Sequence, residues 1–248
     1  LGRLGLGAFA SVHRGFDVKA ARRARHVVVN SRHVADRVRR WWGLEAEVVP
    51  PPVDTQRFTH DPSVEREDFF LLAGRLVPYK RPEVAVAAAV RAGVRLVVAG
   101  GGRSRPAVDA AAGPGVEVLG PVDDTVLTDL YRRCRALVFP GEEDFGIVPV
   151  EAQSCGAPML APAVGGVVDT VVDGVTGTLY RPQPDNEVEA LASAMRAFDD
   201  DRFDSETIST LAGRFSTAAF HDRFRSTVER IVAEGETDPS GEVVRSAA

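Results

Sequence analysis

A chain of 248 residues, 44% apolar and 26% charged, is long enough to bury its own core and needs neither disulfides nor a metal to hold it. It contains no run of about 18 uncharged apolar residues, which excludes a membrane-spanning helix. The net charge of −5 is uneven: residues 1–42 hold ten Lys and Arg against two Asp, so they carry +8 and the remainder −13, which argues against nucleic acid as the main partner.

The chain starts LGRLGLGAFASVH, without an initiator Met and without the layout of a signal peptide, and reads as the cut edge of a longer protein. Residues 17–25 predict a helix and His26–Asn30 a short β-branched strand. Ser31 then caps a predicted helix reaching Arg40. Ala46–Pro50 predicts a strand, stopped by Pro50, Pro51 and Pro52. The stiff polar stretch PPPVDTQRFTHDP places a domain boundary near residues 50–65. Residues 1–55 are therefore expected to be the end of an amino-terminal domain with its linker, 56–234 the main domain, and 235–248 a polar, disordered tail.

Past the boundary, short apolar strands alternate with helices. The predicted strands are Phe69–Gly74, Val94–Gly100, Val116–Gly120, Arg135–Pro140, Pro158–Pro162 and Gly177–Arg181. The predicted helices are 81–92, 105–112, 125–134, 148–155, 166–173, 186–198 and 205–234. Pro82 opens the first of these, and Gly156 stops the fourth. Such alternation means βαβ units, a mostly parallel sheet and a doubly wound, Rossmann-like α/β domain. Ligands of such sheets gather beyond the strand carboxyl ends, at the switch point. Gly74–Lys80, Gly100–Arg103, Gly120–Asp123, Pro140–Gly146 and Ala163–Gly166 each follow a strand, so they are expected to share one edge.

Three of these loops carry chemistry. In GRLVPYKR, Arg75 and Lys80 suit a diphosphate, Arg as a planar fork and Lys as a point charge; the plain alternative is two solvated loop residues. Gly100, Gly101 and Gly102 either let backbone approach a phosphate or make a simple turn. In GEEDFGIVPVEA, Glu143 lies in the loop and Glu151 about one turn into the next helix. That helix N-terminus, near Ile147 or Val148, favours an anion. A carboxylate inside the helix suits a vicinal diol such as ribose, and one in the loop suits sugar hydroxyls. The plain alternative is an acidic surface loop at Glu142, Glu143 and Asp144.

The stretch GEEDFGIVPVEAQSCGAPMLAPAVGGVVDTV (Gly141–Val171) resembles the signature of glycosyltransferase family 4. The segment from Gly74 to Lys80 is similar to its phosphate-binding loop, and NSRHVADRV and PPVDTQRF to its linking segments, so the resemblance spans about residues 20–234. It implies a retaining transferase of GT-B fold, with no cofactor and no metal; the location expected from the two isolated thiols is cytoplasmic. Gly74, Arg75 and Lys80 would hold the donor diphosphate, Glu151 the ribose, and Glu143 the donor sugar near the reacting carbon. The backbone around Phe145, Gly146, Ile147 and Val148 would touch sugar or phosphate, and Gly120 to Val122 the base. The wording EEDFGIVPVEAQ is closest to mannosyltransferases using GDP-mannose, with UDP-glucose the alternative donor. The acceptor would be a glycan or a lipid-linked sugar, in polysaccharide or glycolipid assembly. Asp169 departs from the family's usual Glu, and most of the amino-terminal acceptor domain is expected to be missing. That leaves two rivals, a truncated nucleotide-binding module without activity and an epimerase of the same fold.

Smaller features fit bland roles. Cys134 and Cys155 have no ligand-spaced partners and fit a reducing compartment. Trp41 and Trp42 after a basic helix read as packing under a further domain, or with residues 14–42 as a peripheral membrane contact. Phe215, Phe220 and Phe224 read as core, and the five His form no cluster.

Overall fold

The computed structural model describes residues 15–183 and 185–236. Arg3, Arg14 and the tail from 237 onward lie outside the described residues. The strands are β1 (Val28–Val29), β2 (Glu47–Val48), β3 (Phe70–Ala73), β4 (Leu96–Ala99), β5 (Val116–Gly120), β6 (Ala136–Val138), β7 (Met159–Pro162) and β8 (Gly177–Tyr180). The helices are α1 (residues 15–21), α2 (Arg32–Trp42), α3 (Pro82–Ala92), α4 (Arg105–Ala111), α5 (Asp124–Arg133), α6 (Ile147–Ser154), α7 (Val167–Thr170), α8 (Glu187–Arg196), α9 (Ser205–Ala212) and α10 (Thr217–Glu236).

Six strands form one parallel sheet in the order β5-β4-β3-β6-β7-β8. Both faces of the inner strands β3, β4, β6 and β7 are covered, which is why they read as unbroken apolar runs, while the edge strand β5 alternates half-buried and exposed residues. Phe70 and Leu72 of β3 enter one core with Val86, Val108, Leu191 and Met195. Leu71 and Ala73 enter the other with Leu130, Tyr131 and Ala152. Full burial of a Leu or Phe contributes about 1.5–3 kcal/mol, so these two layers supply most of the driving force. The chain leaves β3 through β4 to β5, then returns to lay β6 on the opposite side of β3. The winding reverses between β3 and β6, and the loops after those strands face each other across the crevice.

A smaller unit precedes this sheet. β1 and β2 pair in parallel, and α2 packs on them through Ala35 and Val38. Ser31 caps α2 as expected, its buried hydroxyl accepting the Val34 N–H at 3.1 Å. The helix runs past Arg40 to Trp42 and closes on Gly43. The first predicted helix ends earlier than 25, because the chain turns at Arg22.

The predicted single helix over 205–234 is two helices. A 3-10 turn at Gly213–Phe215 separates α9 from α10. There the Phe215 carbonyl accepts the Val53 N–H at 2.9 Å, a tertiary bond that a continuous helix would not leave free. Ser216 then caps α10 by accepting the Ala219 N–H at 3.2 Å. α10 continues through Glu236, where a disordered tail is expected from Gly235. It returns over the smaller unit, where Thr227 donates to Glu47 at 2.7 Å and Arg230 pairs with the same carboxylate. Of the three Phe expected in the core, Phe215 is buried, but Phe224 is 44% exposed and stacks on Phe220.

Candidate functional site

The β3 run ends at Gly74, and the next six residues form a stiff loop. Buried Leu76 anchors it: its N–H donates to the Gly101 carbonyl at 2.9 Å, and its carbonyl accepts the Ser104 N–H at 2.9 Å. A Cβ on Gly100 would stand 1.9 Å from the Gly74 carbonyl oxygen. The glycine run after β4 thus serves close packing of two loops, backbone on backbone, and this explains it without a phosphate. Pro78–Lys80 makes a 3-10 turn that delivers Lys80 into the crevice. Arg81 follows in a left-handed conformation (φ 54), alone in this among the described non-glycine residues. That costs of order 1 kcal/mol, and the Arg81–Glu187 ion pair holds the junction in place.

Opposite, β6 runs into the loop Pro140–Gly146. Lys80 Nζ lies 2.7 Å from Glu143 Oε1, and the two side chains are only 15% and 16% exposed. Glu142 and Asp144 are exposed, so the surface-loop reading holds for those two and not for Glu143. Both exposed carboxylates are engaged by α2, Glu142 by His33 at 3.5 Å and Asp144 by Arg37. The Glu143 carbonyl accepts the Gly166 N–H at 2.7 Å, so the β7–α7 loop braces this one. Asp169 takes the Arg32 backbone N–H and its Nε, each at 2.6 Å. α6 starts at Gly146 (φ 91) with no side chain capping its first N–H groups. Its positive end therefore faces the crevice.

Glu151 lies within α6, half-buried, and accepts the Tyr131 hydroxyl at 3.2 Å. Burial pushes its carboxyl above the ordinary value, opposed by Tyr131, Arg57 and Lys80, which favour the charged form. A carboxyl so raised binds its proton more tightly in the folded chain. The stability it contributes is therefore lost as pH climbs from the ordinary carboxylate range through its folded value. Glu151→Gln is expected to raise stability at pH 7 by on the order of 1 kcal/mol or less, and to leave it unchanged near pH 4. Guanidinium unfolding at both pH values checks this; a less stable variant at pH 7 contradicts it.

A cavity of about 560 Å³ opens at the switch point. Arg75, Lys80, Glu143, Phe145, Gly146, Ile147 and Val148 of the expected residues line it, together with Asn30, Pro51 and Tyr79. Gly74 adjoins it: a Cβ there would lie 3.9 Å from Lys80 Nζ. Arg75 is exposed and pairs with no described residue. Asn30 Oδ1 is a buried acceptor without a hydrogen-bond donor, whereas Glu143 Oε1, also buried, is met by the Lys80 ammonium. Gly120 and Val122 lie apart, at the end of the outermost strand β5, where Val122 packs partly on the second core. A second cavity of about 760 Å³ adjoins the first across Glu142, Glu143 and Asp144, and includes His33, Arg37, Arg81 and Tyr180. Among the described residues no group of three or more His, Cys, Asp and Glu is placed to hold a metal ion, and no helix is long and apolar enough to cross a membrane. Asn30, Tyr79, Arg57, Tyr131 and His33 were not expected at the site. Asn30 and His33 lie in NSRHVADRV, Arg57 in PPVDTQRF and Tyr79 in GRLVPYKR, segments that resemble the family without singling these residues out, while Tyr131 had no signal.

The family model for glycosyl transferases group 1 matches residues 54–212. A D-inositol 3-phosphate glycosyltransferase of Mycolicibacterium paratuberculosis (strain ATCC BAA-968 / K-10) is 38% identical over 144 residues, 53% of this chain and 33% of that protein. The enzyme of the same name from Mycobacterium tuberculosis (strain ATCC 25177 / H37Ra) is 41% identical over 118 residues, 43% of this chain and 25% of that one. The matched part thus spans a third or less of the length of these relatives. Among solved structures, Anabaena Alr3699/HepE with UDP and glucose superposes with a TM-score of 0.73 at 22% identity, covering 88% of this chain and 67% of that one. Sucrose-phosphate synthase from Thermosynechococcus elongatus gives 0.70 at 25% identity, covering 85% and 59%. The doubly wound domain is one Rossmann-like part of the GT-B fold, and the chain belongs to the glycosyl transferases group 1 family.

Proposed function

We propose that this chain supplies the donor site of a retaining glycosyltransferase that moves a hexose from a nucleoside diphosphate sugar to a hydroxyl-bearing acceptor. The observation that carries the reading is the content of the switch-point cavity. Cationic Lys80, Arg75 and an uncapped helix N-terminus stand beside the buried Asn30 Oδ1, which has no hydrogen-bond donor, and the Glu143 carboxylate paired with Lys80. Cations and free N–H groups match a diphosphate. The orphaned Asn30 acceptor, and the second oxygen of the Glu143 carboxylate, match sugar hydroxyls.

In this reading the bond from the sugar carbon to the diphosphate oxygen breaks as the acceptor hydroxyl oxygen enters on the same face of that carbon, and the hydroxyl proton passes to the departing phosphate oxygen. The negative charge left on the diphosphate is met by Lys80, Arg75 and the α6 N–H groups, so the chemistry calls for no metal. Glu143 orients sugar hydroxyls, Glu151 binds the ribose diol, and Gly120 to Val122 border the base. Catalysis is then positioning and charge stabilisation. The cavity beyond Glu143 gives the acceptor room on the sugar's side.

The mannose preference suggested by the motif wording has no support among these relatives. HepE was crystallised with UDP-glucose, and the mycobacterial proteins are named for D-inositol 3-phosphate. A UDP-hexose therefore moves ahead of GDP-mannose, with a polyol or glycan hydroxyl as acceptor. A peripheral membrane contact through 14–42 would use exposed Arg40 and Trp41, since Arg32 and Arg37 are committed to carboxylates. Titration calorimetry with UDP-glucose, UDP-N-acetylglucosamine and GDP-mannose tests the donor site. Binding of at least one is expected, and binding of none overturns the reading.

A further inference from the structure

We infer that Tyr131 is a positioning residue for donor recognition, fixing the Glu151 carboxylate so that it presents a free oxygen to the ribose diol. The inference rests on the assignment of Glu151 to the ribose, and goes beyond it by naming the group that makes Glu151 fit for the task.

The geometry is specific. Tyr131 lies on α5 and Glu151 on α6, and the Tyr131 ring is completely buried between them. Phe58 holds that ring edge to face, with centroids 5.7 Å apart. A ring so gripped cannot swing away, so its hydroxyl stands as a fixed donor 3.2 Å from Glu151 Oε2. Glu151 Oε1 accepts no hydrogen bond from a described residue, and Glu151 sits one turn along α6 behind the cavity-lining Ile147 and Val148. A diol gives its two protons best to a charged carboxylate of set orientation. The carboxylate is half-buried, and burial works against its charge. The hydroxyl offsets part of that and locks the rotamer. Burial also holds the Tyr131 proton on, raising the phenol well above its ordinary range, so the group remains a donor throughout the working pH range.

The other charged and titratable groups around Glu151 are Arg57 and Asp54 from the linker, Lys80 from the β3 loop and Cys155 of the following turn. Arg57 and Lys80 favour the carboxylate, but neither hydrogen-bonds to it. Tyr131 alone among the described residues sets its orientation by a hydrogen bond.

The test is Tyr131→Phe, which keeps the ring and removes one oxygen. UDP and GDP are titrated alongside their 2′,3′-dideoxy counterparts from pH 4.5 to 8, into the wild type, Tyr131→Phe, Glu151→Gln and the double variant. In the wild type the ribose forms bind more tightly than the dideoxy forms. Tyr131→Phe is expected to lose roughly tenfold of that preference at neutral pH. It is also expected to move the acid-side loss of binding to higher pH, because Glu151 loses the donor that favours its charge. In the Glu151→Gln background, Tyr131→Phe changes neither quantity. A Tyr131→Phe protein with unchanged preference and an unchanged acid limb overturns the inference while leaving Glu151 at the ribose. Equal binding of ribose and dideoxy forms by the wild type removes the ribose assignment and this inference with it. If Tyr131→Phe loses stability to guanidinium, the double variant still decides. A purely structural role predicts the same loss of binding whether or not Glu151 is present.

Discussion

Lys80→Ala weakens nucleoside diphosphate binding about a hundredfold and leaves the free nucleoside nearly untouched. The magnitude has two sources. A charge-assisted hydrogen bond to a phosphate oxygen is lost, which alone costs roughly 1.5–3 kcal/mol. The Glu143 carboxylate, now without the cation 2.7 Å away, also presents bare negative charge to an anionic ligand. Arg75→Ala is expected to cost less, about tenfold or under, because Arg75 is exposed and screened by water. Removing one partner from a largely buried pair also destabilises the fold, by about 2 kcal/mol here. Lys80→Ala with Glu143→Gln is expected to recover part of that stability but little of the binding. Calorimetry with UDP and uridine separates the effects. Equal loss for both ligands contradicts a phosphate role for Lys80.

The second large effect belongs to a residue with no chemistry of its own. A Cβ on Gly141 would lie 2.6 Å from Lys80 Cα and 2.9 Å from the Tyr79 carbonyl oxygen. Both obstacles are backbone, so the β6 loop and the β3 loop must separate. Gly141→Ala is expected to lose about 2–3 kcal/mol of stability. It is also expected to reduce donor affinity more than tenfold, since misplacing a binding group by about 1 Å is enough for losses of that size. Thermal unfolding and UDP titration measure the two. Unchanged affinity in a folded Gly141→Ala protein would show that the Lys80–Glu143 approach is not needed for binding.

Much of the sheet was legible because its inner strands β3, β4, β6 and β7 are buried on both faces. Val116–Gly120 and Pro82–Ala92 match their expected bounds to within a residue, since apolar runs, Pro and Gly are local signals. The break between α9 and α10 was not legible. It answers to the Val53–Phe215 hydrogen bond, a contact more than 160 residues long in sequence. The glycines after β4 carried a local signal whose protein partner was not legible: Gly100 and Gly102 pack against the backbone of the β3 loop.

The loops with Arg75, Lys80 and Glu143 were legible as one edge through topology alone. Their partners were not. Tyr131 looked like one more apolar helix position, and nothing local marks it as facing Glu151. The charge asymmetry was visible but ambiguous between a solvated face and an anionic partner. In the fold, part of it is internal: Arg32, His33 and Arg37 of the basic α2 meet Asp169, Glu142 and Asp144 on the acidic rim of the site.

The central claim is that the crevice between β3 and β6 is a diphosphate-sugar site. A crystal structure of the chain with UDP tests it most directly. A phosphate oxygen is expected about 3 Å from Lys80 Nζ and from an N–H of the first turn of α6, with the ribose hydroxyls on Glu151. UDP bound away from this crevice, or with its ribose hydroxyls turned from Glu151 and its phosphates from Lys80, would contradict it.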